Sequence, residues 1–70
     1  MYEKKHILVV DDDIRIRKLI QKYLRKNDYL VSTASSANEA VQFANTIEFD
    51  LFIIKSFGLI YFLLINTNLL

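Results

Sequence analysis

Cysteine and proline are both absent from this 70-residue chain, and glycine occurs once, as Gly58. Without cysteine there is no disulfide framework and no thiolate metal site, which fits a reducing cytoplasmic setting. A single glycine excludes a Gly-rich phosphate-binding loop, and no serine stands at a recognisable spacing from a base, so no enzyme of either kind is indicated. Net charge is almost absent as well, because nine Lys and Arg against eight Asp and Glu leave +1. No global field therefore draws the chain to nucleic acid or to an acidic partner. Charge is also missing locally: residues 14–26 contain no acid, and residues 56–70 contain no charged residue of either sign. The amino-terminal Met1 to His6 leads into an apolar run too short for a signal peptide. A chain of this length buries only about 60% of its unfolded surface, so at most one small, marginally stable domain is expected.

What the chain does have is a run of four branched apolar residues, Ile7-Leu8-Val9-Val10, that ends in three carboxylates, Asp11-Asp12-Asp13. Apolar residues without alternation read as a strand buried on both faces, as in a parallel sheet with helices on each side. In open α/β sheets the ligand site lies outside the carboxyl ends of the strands, where these acids stand. Two carboxylates about 4 Å apart repel by about 4 kcal/mol at an effective dielectric of 20, so something positive should offset them. Mg²⁺ suits the position, since it takes oxygen ligands and often binds through one or two carboxylates. The plainer reading is a helix entry, with Asp13 as the N-cap.

From Ile14 the apolar residues Ile16, Leu19, Ile20, Tyr23 and Leu24 recur on one helical face, with basic residues on the other. That basic face lacks interleaved aromatics and reads as solvated rather than as a nucleic-acid surface. Asn27 and Asp28 should stop the helix, Asn being tolerant of the left-handed conformation. Tyr29 to Ala34 reads as a second strand. Ser36-Ala37-Asn38-Glu39 has the spacing of a capping box, and a second helix with Ala40, Val41, Ala44 and Ile47 on its apolar stripe should run to Thr46 or Glu48. Asp50-Leu51-Phe52-Ile53-Ile54 then reads as a third strand. His6, the only histidine, reads as a solvated flank. The order strand, helix, strand, helix, strand implies an α/β fold with a parallel sheet and right-handed crossovers.

With the acidic strand end and this order in hand, the sequence resembles the receiver domain of two-component response regulators, especially those with a winged-helix DNA-binding output domain. Ile7 to Asp12 is similar to that family's first strand and acidic pair, and Phe49 to Ile54 to its third strand. The resemblance implies a partial flavodoxin-like fold, βαβαβ, with a three-stranded parallel sheet in the order 2-1-3 over residues 1–54. It implies a phosphorelay role, a sensor histidine kinase as partner, and Mg²⁺ held by Asp11 and Asp12. The family's phosphoacceptor aspartate falls on Lys55, an ammonium that cannot accept a phosphoryl group and repels Mg²⁺. Weak or absent Mg²⁺ binding and no phosphorylation are therefore expected. The Pro-Gly pair usual after that position is missing too.

Residues 55–70 do not resemble the receiver and form an apolar tail. Two readings of the tail differ in consequence. As a membrane anchor it is too short, since a spanning helix needs about 20 apolar residues and upstream extension meets Lys55. As the product of a frameshift near the Lys55 codon it has the expected composition, because Phe, Ile, Leu, Tyr and Asn have codons rich in A and T. The third strand is then expected to be an unprotected, aggregation-prone edge. The frameshift reading predicts that the downstream DNA, translated in the other two frames, encodes an Asp followed by Pro-Gly and the later receiver strands. Their absence from both frames refutes it.

Overall fold

The computed structural model describes residues 3–56 and 60–65. The elements run β1 (His6–Val10), α1 (Ile14–Lys26), β2 (Leu30–Ala34), α2 (Ala37–Thr46), β3 (Leu51–Ser56) and β4 (Ile60–Ile65). β1 pairs parallel with β2 from His6↔Leu30 to Val10↔Ala34, and parallel with β3 from Ile7↔Leu51 to Val10↔Ile54. The three parallel strands thus have the expected order 2-1-3. Reversing the direction of strand progression while keeping both crossovers right-handed puts α1 and α2 on opposite faces of the sheet.

That placement explains why β1 is apolar throughout. On one face Ile7, Val9 and Val31 are buried, with Ile20 and Leu24 of α1 and Leu51 and Ile53 of β3 packed against them. On the other, Leu8, Val10, Ala34 and Phe49 are buried beneath Ala40 and Phe43 of α2 and its C-cap residue Ile47, with Phe52 and Ile54 beside them. Alternate residues of one strand therefore serve two cores.

Each helix buries only part of the stripe its spacing suggests. In α1 only Ile20 and Leu24 reach the core, while Leu19 and Tyr23 are 65% and 66% exposed, because the helix lies over β1 and β2 alone. In α2 the packed residues are Ala40 and Phe43, joined by the C-cap Ile47, while Val41 and Ala44 are exposed. Phe43 lies three residues after Ala40 and four before Ile47, so it completes the face that Val41 leaves.

The helix ends follow local chemistry. Asp13, extended at φ −92°, ψ 112°, accepts from the Arg15 N–H and caps α1. Ser36 Oγ accepts from the Glu39 N–H at 3.2 Å and caps α2. The reciprocal half of the capping box is replaced, because the Glu39 carboxylate accepts instead from Ser35 Oγ at 3.0 Å. At the end of α1, Asp28 rather than Asn27 takes the left-handed conformation, with φ 73°. The Tyr29 N–H donates to Leu24 O and the Asp28 N–H to Arg25 O, the paired bonds of a Schellman motif.

His6 is no solvated flank. It begins β1, its ring lies edge-on to Phe49 with centroids 4.6 Å apart, and Nε2 is 2.9 Å from Ser32 Oγ. Its backbone N–H donates to the Asp50 carboxylate at 2.8 Å, and the Asp50 N–H donates back to His6 O at 2.9 Å. Asp50 is therefore a clasp ahead of β3 rather than its first residue.

The expected open edge on β3 is also corrected. β4 pairs antiparallel with β3 from Leu51↔Ile65 to Ser56↔Ile60, giving a four-stranded sheet in the order β2-β1-β3-β4. Only residues 57–59 separate the two strands, too few for a parallel crossover, so the returning strand is antiparallel. Residues 57–59 and 66–70 of the apolar tail lie outside the described residues. Among the described residues no helix is long and apolar enough to cross a membrane.

The left-handed turn yields a stability test. A Cβ in that conformation costs an L-residue roughly 1–2 kcal/mol, less for Asp, and glycine carries none of it. The Lys4–Asp28 ion pair lost in the exchange, at 3.2 Å and well exposed, is worth about 0–1 kcal/mol. Asp28→Gly is expected to stabilise the fold by about 0.5 kcal/mol, read as a higher urea midpoint with an unchanged slope. An unchanged or lower midpoint refutes the assignment.

Candidate functional site

The acids emerge where β1 leaves the sheet. The Asp11 N–H still donates to Ala34 O at 3.1 Å, continuing the β1–β2 ladder by one residue. Asp11 is therefore buried, with 1% of its surface exposed. Its Oδ1 accepts from the Asp13 N–H at 2.9 Å, which folds the chain back toward the first turn of α1. Asp12, between them, points outward with its side chain 80% exposed.

Three cations from two elements close on this acidic turn. Arg17 Nη1 donates to Asp11 O at 2.6 Å, and Arg15 donates from Nε and Nη2 to the two Asp13 oxygens at 3.4 and 3.3 Å. The basic face of α1 is thus not wholly solvated, since its first turn returns to the acidic turn. The spacing Asp13–Arg15 was visible in the chain. Arg17 was not, because its partner is a backbone carbonyl.

Lys55 is the third cation. The register Val10↔Ile54 brings Asp11 and Lys55, each one residue further on, to the same level of the sheet. Lys55 Nζ lies 3.0 Å from Asp12 Oδ1 and 3.6 Å from Asp11 Oδ1. One ammonium therefore sits on both carboxylates of the pair. The hydrogen bond to Asp12, more than the charge of Asp11, holds Lys55 above its ordinary 10.5 against the opposing effect of desolvation. Arg15 holds Asp13 below its ordinary 3.8, chiefly through the side-chain hydrogen bond.

Beside this cluster a cleft of about 540 Å³ opens over the carboxyl ends of β1 and β3. Asp11, Asp12 and Lys55 form one end, and Ser35, Ala40 and Ile54 form part of its mainly apolar wall. As a Mg²⁺ site the arrangement does not fit as it stands: the two carboxylates supply oxygen ligands, but the Lys55 ammonium already lies within hydrogen-bonding distance of Asp12 and beside Asp11.

Residues 7–55 match the response regulator receiver domain family. The chain belongs to that family. It is similar to protein PetR of Rhodobacter capsulatus, with 43% identity over 49 residues, covering 70% of this chain and 21% of that protein. It is also similar to the transcriptional regulatory protein ResD of Bacillus subtilis, with 38% identity over 48 residues, 69% of this chain and 20% of the relative. The chain thus spans about a fifth of the length of these curated relatives. No solved structure gives a significant match. The receiver match ends at Lys55, so it includes all four residues of the acid–lysine cluster.

The shift of Lys55 sets a pH dependence for this receiver. A group whose pKa rises on folding contributes stability that is complete below its unfolded value, about 10.5, and that is lost as the pH climbs through the higher folded value. The difference in unfolding midpoint between the native chain and Lys55→Met should hold from neutral pH to about 10.5 and close above it. A difference that persists unchanged through the alkaline limb refutes the link to the ammonium.

Proposed function

We propose that this chain is a receiver unit of a two-component phosphorelay that does not accept a phosphoryl group, because Lys55 stands where its family places the acceptor aspartate. The 3.0 Å contact between Lys55 Nζ and Asp12 Oδ1 carries this reading. Phosphoryl transfer needs an acceptor oxygen and a cation that neutralises the charge developing on the phosphoryl oxygens. A protonated amine supplies no lone pair for attack. It also places a positive charge where the metal would bind, which lowers the affinity of the acidic pair for a divalent cation.

The carboxylate pair itself is retained, and on this reading Asp11 and Asp12 are the metal ligands that Lys55 satisfies internally. The ammonium offsets their mutual repulsion as a cation from solution would. A sensor histidine kinase, the partner implied by the family, would then meet a surface of receiver type without an acceptor, so that any remaining role is binding rather than transfer.

Titration with Mg²⁺, followed by NMR of folded samples, tests the proposal. Lys55→Asp exchanges a repelling charge for an oxygen ligand and should tighten Mg²⁺ binding by about tenfold or more, as ligand charge count governs such sites. The native chain should take up no phosphoryl group from acetyl phosphate. Equal Mg²⁺ affinities in the two folded forms, or phosphoryl uptake by the native chain, overturns this account.

A further inference from the structure

β4 ends the strand order β2-β1-β3-β4, and no strand lies beyond it among the described residues. In an edge strand the N–H and C=O groups directed away from the neighbour remain open to another chain. Natural edges are commonly blunted by lysine, proline or a bulge. β4 reads Ile-Tyr-Phe-Leu-Leu-Ile, without charge or proline, and its six-residue register with β3 runs without interruption. Lys55, the only charged residue from 51 to 65, is committed to Asp11 and Asp12. The opposite edge differs: β2 reads Leu-Val-Ser-Thr-Ala, and the Lys4–Asp28 ion pair lies near its start. Both helices lie over β1 and β2.

We propose that β4 is a self-association edge, pairing antiparallel with β4 of a second copy of this chain about a two-fold axis, so that two four-stranded sheets join into one. A two-fold axis normal to the sheet makes the strands antiparallel, and an antiparallel edge is complementary to itself, since residue i facing j implies j facing i. Charge favours a second copy over an unlike partner. Two identical edges normally repel wherever like charges meet, and residues 56–70 carry none. The same lack leaves an acidic or basic partner nothing to recognise.

The chain contains no cysteine, so single-Cys variants of the full chain at each of positions 60–65 report contact directly. In a two-fold antiparallel pair only one position stands opposite its own copy. Disulfide-linked dimer formed under mild oxidation should therefore peak once along the strand and fall away on both sides, while Thr33→Cys on the β2 edge stays monomeric. Face-to-face stacking of sheets instead confines cross-links to alternate positions, and parallel in-register stacking links all six. Either pattern overturns the proposal. Sedimentation of the native chain should show a reversible monomer–dimer equilibrium that Phe62→Lys shifts toward monomer with an unchanged far-ultraviolet circular dichroism spectrum. A native chain that stays monomeric at every concentration also overturns it.

Discussion

β1 is bonded along both edges and covered on both faces, and the other elements take their positions from that double burial. Its backbone groups are satisfied by β2 on one side and β3 on the other. Its side chains alternate between a core under α1 and a core under α2. A strand buried in this way cannot carry charge until it leaves the sheet, so the first polar residue after Val10 marks the sheet's boundary. Asp11 stands on that boundary, inside the last ladder bond and buried, while Asp12 is already in solvent.

The same pairing delivers Lys55. Because β3 runs parallel to β1 and in the register Val10↔Ile54, the two strands reach the end of the sheet together, and the residue after Ile54 is placed against the residue after Val10. An acidic residue at position 55 would add a negative charge to two others and require a cation from solution. A lysine there cancels charge internally, and the pair becomes a structural ion cluster. One side chain thus alters the chemistry of the site while leaving the sheet that builds it unchanged.

Element type was legible because burial and periodicity are tied directly. β1 has continuous apolar residues since both of its faces are covered, and α1 and α2 recur at helical spacing since each faces the sheet on one side. The choice among neighbouring apolar positions was not legible. Val41 and Phe43 flank the Ala40–Ile47 stripe on opposite sides, and packing against the core of Leu8, Val10, Ala34 and Phe49 selects Phe43. Leu19 and Tyr23 extend the stripe of α1 past the strands that α1 covers. At the end of that helix, Asn27 and Asp28 both tolerate a positive φ, and the hydrogen-bond geometry assigns it to the second.

Local order therefore came from the sequence alone: the run of strands and helices through β3, the caps at Asp13 and Ser36, the acidic pair, and the lysine near the end of β3. Each depends on a residue and its near neighbours along the chain, which spacing and side-chain chemistry report. Tertiary structure decided what depends on distant partners. It joined His6 to Ser32, Phe49 and Asp50, and brought Arg17 to the Asp11 carbonyl. It also laid β4 along β3, moving the open edge outward by one strand. Those contacts arise from register and chain reversal, which set separations across the sheet that no local pattern encodes.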